Sequence, residues 1–130
     1  MDRKLRTVCT AGKMDDLLSV FRQYRVTLIG SCLFGKQQPS DIDFMLSVPE
    51  FEIDHVEKTL LGLGFARNNV DPKCYDPLIT SSFGRGMLDC QIATPENWEQ
   101  KRKRLLKIKK NRSFVGKTKP ELYQLYAESN

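Results

Sequence analysis

Hydrophobic residues recur at intervals of three and four positions in four segments of the chain. This spacing places their side chains on one face of an α-helix, so each segment is predicted to be a helix with a buried stripe. The four predicted helices cover residues 14–24, 53–63, about 95–112 and about 119–128. In the second helix Ile53, Val56 and Leu60 are expected to face the core, and His55 falls on the polar side.

Residues that favour helix starts precede the last three segments. Ser47 and Glu50 have the spacing of a capping box, and so do Thr118 and Glu121. Thr94 comes directly before a proline, a combination that suits the first helical position. We therefore expect helices to begin at these three points.

Shorter apolar runs bounded by Gly, Pro and Ser predict β-strands. These runs lie at residues 26–29, 42–48, 65–70, 78–83 and 87–93. The sequence Gly84-Arg85-Gly86 separates the last two runs and predicts a tight hairpin. Helices and strands are mixed along the chain, without an internal repeat. We expect one domain over residues 1–130, of the α/β or α+β class, with a small mixed β-sheet and flanking helices.

The composition agrees with one globular domain. A chain of 130 residues, 40% hydrophobic and 28% charged, has room for one modest core. No apolar stretch approaches the roughly 20 residues that a transmembrane helix needs, and no apolar region typical of a secretory signal is found at the start. The four cysteines include no CxxC pair, which argues against structural zinc and is consistent with reduced thiols. We expect a cytoplasmic protein without a membrane partner.

Positive charge is concentrated in one segment. The net charge of the chain is +5, yet residues 98–112 carry eight basic residues against one acid, a local charge of +7. These basic residues are Lys101, Arg102, Lys103, Arg104, Lys107, Lys109, Lys110 and Arg112. A charge-rich helix is usually a solvated face, but a patch of this density also suits a phosphate backbone. Both interpretations stay open, while Trp98 is expected to be a core anchor.

Residues 26–48 contain the strongest candidate for chemistry. Gly30 and Ser31 follow the first predicted strand, where backbone N–H groups and a hydroxyl can hold phosphate. Asp41 and Asp43 begin the next strand, and because strand side chains alternate, both carboxylates project to the same side. Mg²⁺ takes such oxygen ligands together with substrate phosphates. A turn would explain Asp41, but an acid within an apolar strand is costly unless it has a role.

This arrangement resembles the signature of the nucleotidyltransferase superfamily, which includes DNA polymerase β, CCA-adding enzymes, aminoglycoside nucleotidyltransferases and minimal nucleotidyltransferases. In that signature Gly-Ser is followed after about ten residues by Asp-x-Asp and an apolar run, here Gly30-Ser31 and Asp41-Ile42-Asp43. The superfamily has a third carboxylate on a later strand, and Asp89 fits that place. The resemblance covers roughly residues 13–93 and implies a nucleotidyltransferase-like core.

The resemblance implies metal-dependent transfer of a nucleoside monophosphate from an NTP to an acceptor hydroxyl. Asp41, Asp43 and Asp89 would be the catalytic residues and the ligands of Mg²⁺ or Mn²⁺. Asp89 would also be placed to act as a general base toward the acceptor.

The nucleotide itself would be bound by the segment between the two strands. By the same resemblance Ser31 would donate to the phosphates and Gly30 would let the backbone approach them. Lys36 or Arg85 would add positive charge, although no motif fixes either position. With a basic helix nearby in the sequence, an RNA or tRNA end is a reasonable acceptor.

Two other functions fit the same residues. The chain could be a catalytically silent nucleotide- or RNA-binding module of the same fold, although the complete set of three acids argues against it. It could also be an antitoxin-type nucleotidyltransferase that modifies a partner protein. Such proteins carry an Arg-rich stretch between Gly-Ser and Asp-x-Asp, whereas here Lys36 is the single basic residue of that stretch.

Overall fold

The computed structural model describes residues 22–29, 42–112, 115–116 and 118–128. Four of the predicted site residues, Gly30, Ser31, Lys36 and Asp41, lie outside these ranges. So does most of the first predicted helix, of which Arg22 and Gln23 are described and helical.

Eight helices and strands make up the described part of the chain. The strands are β1 (Arg25–Ile29), β2 (Ile42–Ser47), β3 (Ala66–Arg67), β4 (Ser81–Arg85) and β5 (Leu88–Ala93). The helices are α1 (Ile53–Gly62), α2 (Pro95–Asn111) and α3 (Lys119–Glu128). Short 3₁₀ turns lie at Glu50–Glu52 and Pro72–Cys74.

The described strands form one mixed sheet in the order β1-β2-β5-β4-β3. The central pair, β2 and β5, is parallel, and the other pairs are antiparallel. A parallel pair needs a long crossover, which α1 and the β3–β4 region supply between the two strands. The prediction of a small α+β fold with a mixed sheet is confirmed.

Each face of the sheet is covered by helices. Alternate residues of β2 and β5 pack with α1 on one face, and the other alternate residues pack with α2 and α3. On the α1 side the core includes Phe44, Cys90, Ile53, Val56 and Leu60, as the helical spacing predicted. Because it is fully buried there, the Cys90 thiol has a raised pKa and behaves as a small apolar group.

Helix α2 is held to the other face by Trp98. The Trp98 side chain is 2% exposed, and its indole N–H donates to the backbone carbonyl of Met45 in β2 at 2.9 Å. The buried stripe of the helix continues through Lys101, Leu105 and Ile108. The prediction of a core anchor at Trp98 is confirmed, but a lysine in this stripe was not expected.

The predicted helix starts differ in outcome. Thr118 and Glu121 form the expected capping box, with the Thr118 hydroxyl and the Glu121 carboxylate 2.8 Å apart. Thr94 takes the N-cap position before Pro95 without a side-chain capping bond. The capping box at Ser47 is wrong, because Ser47 is the buried last residue of β2, held in register with Ala93, and the helix begins through a 3₁₀ turn.

The predicted hairpin is confirmed, with its turn one residue later than the sequence suggested. Arg85 pairs with Leu88, so Gly86 and Met87 form a two-residue loop. Gly86 has φ of 57°, a value that glycine adopts without the strain of a side chain. This hairpin fixes the register of β4 against β5, and through it the position of Asp89.

Candidate functional site

Asp43 and Asp89 lie next to each other on the two central strands. They are register partners in the parallel β2–β5 pair, so their Cα atoms are separated by a single interstrand step and their side chains share a face. Both side chains are partly buried. A cation bound between them would be in reach of both carboxylates.

A glycine provides the space for Asp89. Gly84 is the register partner of Asp89 on β4. A Cβ atom at Gly84 would lie 3.0 Å from a carboxylate oxygen of Asp89 and 3.1 Å from the amide oxygen of Asn68. The Asn68 amide nitrogen donates to the Ser82 hydroxyl, which holds the amide at this place. The Asp89 carboxylate therefore occupies room that any larger residue at position 84 would take.

We expect Gly84→Ala to disturb the site without unfolding the chain. The new methyl group would push the Asp89 carboxylate by a few tenths of an ångström, and a misplacement of this size should weaken metal-dependent ligand binding about tenfold. Gly62→Ala is the matched control, because a Cβ there meets nothing within 4 Å. Calorimetric titration of both variants with an NTP in the presence of Mg²⁺ tests this. Equal affinities of the two variants for the NTP would show that the position of Asp89 is unimportant.

Four polar residues form a buried cluster beside the acidic pair. They are Asp76, Gln91, Lys101 and Tyr126, and we call them the Lys101 cluster. The Lys101 ammonium donates to the Asp76 carboxylate at 2.7 Å and to the Gln91 side-chain oxygen at 2.9 Å. The Tyr126 hydroxyl donates to Asp76 at 3.3 Å. The cluster thus connects the loop before β4 with β5, α2 and α3.

Burial is the largest cause of the shifted pKa values of Lys101 and Tyr126 in this cluster. Lys101 is 7% exposed and Asp76 is 3% exposed. Burial lowers the pKa of the Lys101 ammonium, while the Asp76 and Asp43 carboxylates oppose that shift. Burial also raises the pKa of the Tyr126 phenol, with a further contribution from Asp76. The contribution of Asp43 places its carboxylate within electrostatic range of the Lys101 ammonium.

The strand register explains this proximity. Gln91 is two residues after Asp89 on β5, so both side chains lie on the same face of the sheet. Its register partner is Met45, which follows Asp43 by two residues on β2. The Lys101 ammonium is thus bonded to Gln91, whose row of side chains lies next to the row of Asp43 and Asp89.

The predicted basic surface has to be revised at Lys101. Both interpretations of the basic segment, a solvated face and a nucleic-acid contact, place this residue at the surface. Its ammonium is instead buried and paired with Asp76, so it is not available to a surface ligand. Arg102 pairs with Glu99 at 3.4 Å, and the Arg104 guanidinium lies 5.5 Å from the centre of the Tyr126 ring. The exposed members of the set are Lys103, Lys107, Lys109, Lys110 and Arg112.

Three of the exposed lysines form a line along α2. Lys103, Lys107 and Lys110 are spaced by four and three residues, which places them on one face of the helix. We call them the lysine stripe. Lys109 and Lys110 also lie in the last turn of α2, where positive charge complements the helix dipole.

The other predicted site residues, Asp41 and the phosphate-binding set, lie outside the described ranges. Ile29, the last residue of β1, is the register partner of Asp43, and Gly30 and Ser31 follow it in sequence. Within the described ranges no group of three or more His, Cys, Asp or Glu side chains is placed to hold a metal ion. Two carboxylates nevertheless match Mg²⁺, which usually takes one or two from the protein and the rest of its ligands from phosphates and water.

Comparison of the chain with models of protein families, with curated proteins and with solved structures gives no match. Among the described helices, none is long and apolar enough to cross a membrane. Function is therefore inferred from the chemistry of the site itself.

Proposed function

We propose that the chain is a metal-dependent nucleotidyltransferase that moves a nucleoside monophosphate from an NTP to an acceptor hydroxyl in the cytoplasm. The observation that supports this proposal is the register of Asp43 and Asp89 on neighbouring parallel strands. Asp is depleted in strands, and here two carboxylates share one face of the sheet. They supply oxygen ligands of the kind that Mg²⁺ takes together with substrate phosphates.

In this proposal Asp43 and Asp89, together with Asp41, hold Mg²⁺ or Mn²⁺. The cation would orient the triphosphate and offset the charge that develops during in-line displacement. Asp89 would also accept the proton of the acceptor hydroxyl, since a carboxylate within hydrogen-bond reach can serve as a general base. Gly30, Ser31 and Lys36 would bind the phosphates.

Calorimetric titration of each NTP, with Mg²⁺ or Mn²⁺ and then with EDTA, tests the proposal. We expect one or more NTPs to bind only when the divalent cation is present. Binding that is indifferent to EDTA would contradict the metal assignment. No binding of any nucleotide would contradict the proposed reaction.

The lysine stripe favours a second candidate function, binding of RNA or another nucleic acid. Its three lysines are exposed along one helix face. Glu99 lies on the same face one turn before Lys103, but its carboxylate is paired with Arg25 at 3.3 Å and with Arg102 at 3.4 Å. A line of exposed lysines whose neighbouring carboxylate is already paired suits a phosphate backbone. This function is compatible with transfer to an RNA end. The chain would also bind nucleic acid in this way if Asp43 and Asp89 had no catalytic role.

We expect replacement of Lys103, Lys107 and Lys110 by glutamine to weaken binding of single-stranded RNA and to flatten its salt dependence. Removing one lysine–phosphate contact reduces the slope of log affinity against log salt by about 0.7. Fluorescence anisotropy at several salt concentrations measures both quantities. The control replaces Lys58 and Lys73, exposed lysines outside α2, by glutamine. An equal loss of binding free energy per charge removed in the control would mean that net charge matters and the stripe does not.

A further inference from the structure

Lys101 is a buried cation that the fold itself does not require. The other described positions of its stripe on α2, Trp98, Leu105 and Ile108, are apolar. A lysine is almost never buried unless it is paired, and replacing a buried ion pair with apolar residues is often neutral or stabilising. A leucine or methionine at position 101 would complete the stripe. The chain instead bonds an amine to Gln91, in the row of side chains next to Asp43 and Asp89.

The ammonium is fixed in this position from two sides. Asp76 holds it at 2.7 Å and Gln91 at 2.9 Å, and the Tyr126 hydroxyl in turn holds Asp76. These bonds use two of the three N–H donors of Lys101. A charge held in a buried cluster interacts with its neighbours more strongly than one in water, because little solvent screens it.

We propose that Lys101 makes cation binding at Asp43 and Asp89 dependent on the triphosphate. A fixed positive charge repels a bare divalent cation that approaches the acidic pair. It attracts the complex of that cation with a triphosphate, because the complex carries a net negative charge. Lys101 would act through its field, without contact to the nucleotide, as a positioning residue. This inference rests on the proposed function, since it concerns the same site.

The test measures two affinities in the same variants. Lys101→Gln removes the charge, and the double variant Lys101→Met/Asp76→Asn removes the whole ion pair so that neither partner is left buried and unpaired. Mn²⁺ binding without nucleotide is measured by electron paramagnetic resonance. Binding of the NTP that the parent chain prefers, with Mg²⁺, is measured by calorimetry. Lys58→Gln is the matched control, because it removes the same charge from an exposed position of α1, outside the acidic pair and the lysine stripe.

The expected result is a pair of opposite changes. In Lys101→Gln, Mn²⁺ alone should bind at least about threefold more tightly and the Mg²⁺–NTP complex at least about threefold more weakly, as the sign of the Coulomb interaction requires. The double variant removes one positive and one negative charge together, so both affinities should change less than in Lys101→Gln. Lys58→Gln should leave both affinities unchanged. A purely structural role for Lys101 predicts that both affinities fall together.

The outcomes separate this inference from the proposed function. If the parent chain binds the Mg²⁺–NTP complex and Lys101→Gln changes both affinities in the same direction, or changes neither, Lys101 has no coupling role and the nucleotidyltransferase proposal stands. If the parent chain binds neither Mn²⁺ nor any NTP, both proposals are wrong. If Lys101→Gln does not fold, Asp76→Asn takes its place. That variant keeps the ammonium and removes its counter-charge, so Mn²⁺ alone should bind more weakly and the Mg²⁺–NTP complex more tightly, and any other result overturns the inference.

Discussion

Replacing Asp43 or Asp89 by asparagine is expected to abolish cation-dependent NTP binding and to lower any transfer activity by about a thousandfold. The size follows from the several kcal/mol that a metal supplies to a transition state, at about 1.4 kcal/mol per factor of ten. Asparagine keeps the shape of the side chain and removes its charge, so the strands should keep their register. Calorimetry measures binding, and release of pyrophosphate measures transfer.

The control for this experiment is Asp54→Asn, an exposed carboxylate in the first turn of α1. It removes the same charge on the opposite face of the sheet and should leave binding unchanged. Urea denaturation of each variant establishes that the fold is retained. Transfer that persists in both Asp43→Asn and Asp89→Asn would show that these residues do not hold the metal.

The second large effect concerns stability. Lys101→Met should lower the free energy of unfolding by about 3–5 kcal/mol, because it leaves the buried Asp76 carboxylate without its counter-charge. The double variant Lys101→Met/Asp76→Asn should recover most of this free energy, since asparagine at position 76 is neutral and methionine at position 101 extends the apolar stripe. Urea denaturation of the parent, both single variants and the double variant completes the double-mutant cycle.

The sign of the coupling energy in this cycle is the informative quantity. Recovery in the double variant means that the single variant is unstable because of an unpaired charge. A double variant whose destabilisation equals the sum of the single variants would mean that Lys101 and Asp76 stabilise the fold by separate contacts. That result would contradict the ion pair as the centre of the cluster.

The acids of the site illustrate what could be predicted from the sequence. Period-two alternation predicted that Asp43 projects from a strand and that Asp89 faces away from its apolar neighbours, and both residues lie on the face opposite Phe44 and Cys90. Their adjacency depends on the parallel pairing of β2 with β5. Local pattern does not specify which distant strand becomes the partner, because that choice is made by packing across the whole sheet.

The buried ion pair of Lys101 and Asp76 was not predicted from the sequence. Lys101 stands among seven other basic residues, and composition suggested one solvated surface. Its spacing from Trp98 and Leu105 places it on the buried stripe, and this signal was available in the sequence. Asp76 before Pro77 suggested a loop residue, and nothing local indicates that its carboxylate bonds to a lysine in a later helix.

Trp98 can serve as an intrinsic fluorescence probe. It is the single tryptophan in the sequence, so all indole fluorescence arises from the contact between α2 and β2. A buried indole emits at shorter wavelengths than a hydrated one. Separation of α2 from the sheet would therefore appear as a red shift even if the remaining structure were intact. Because Lys101 is one helical turn away, the same signal would report whether a ligand at the acidic pair loosens or tightens that helix.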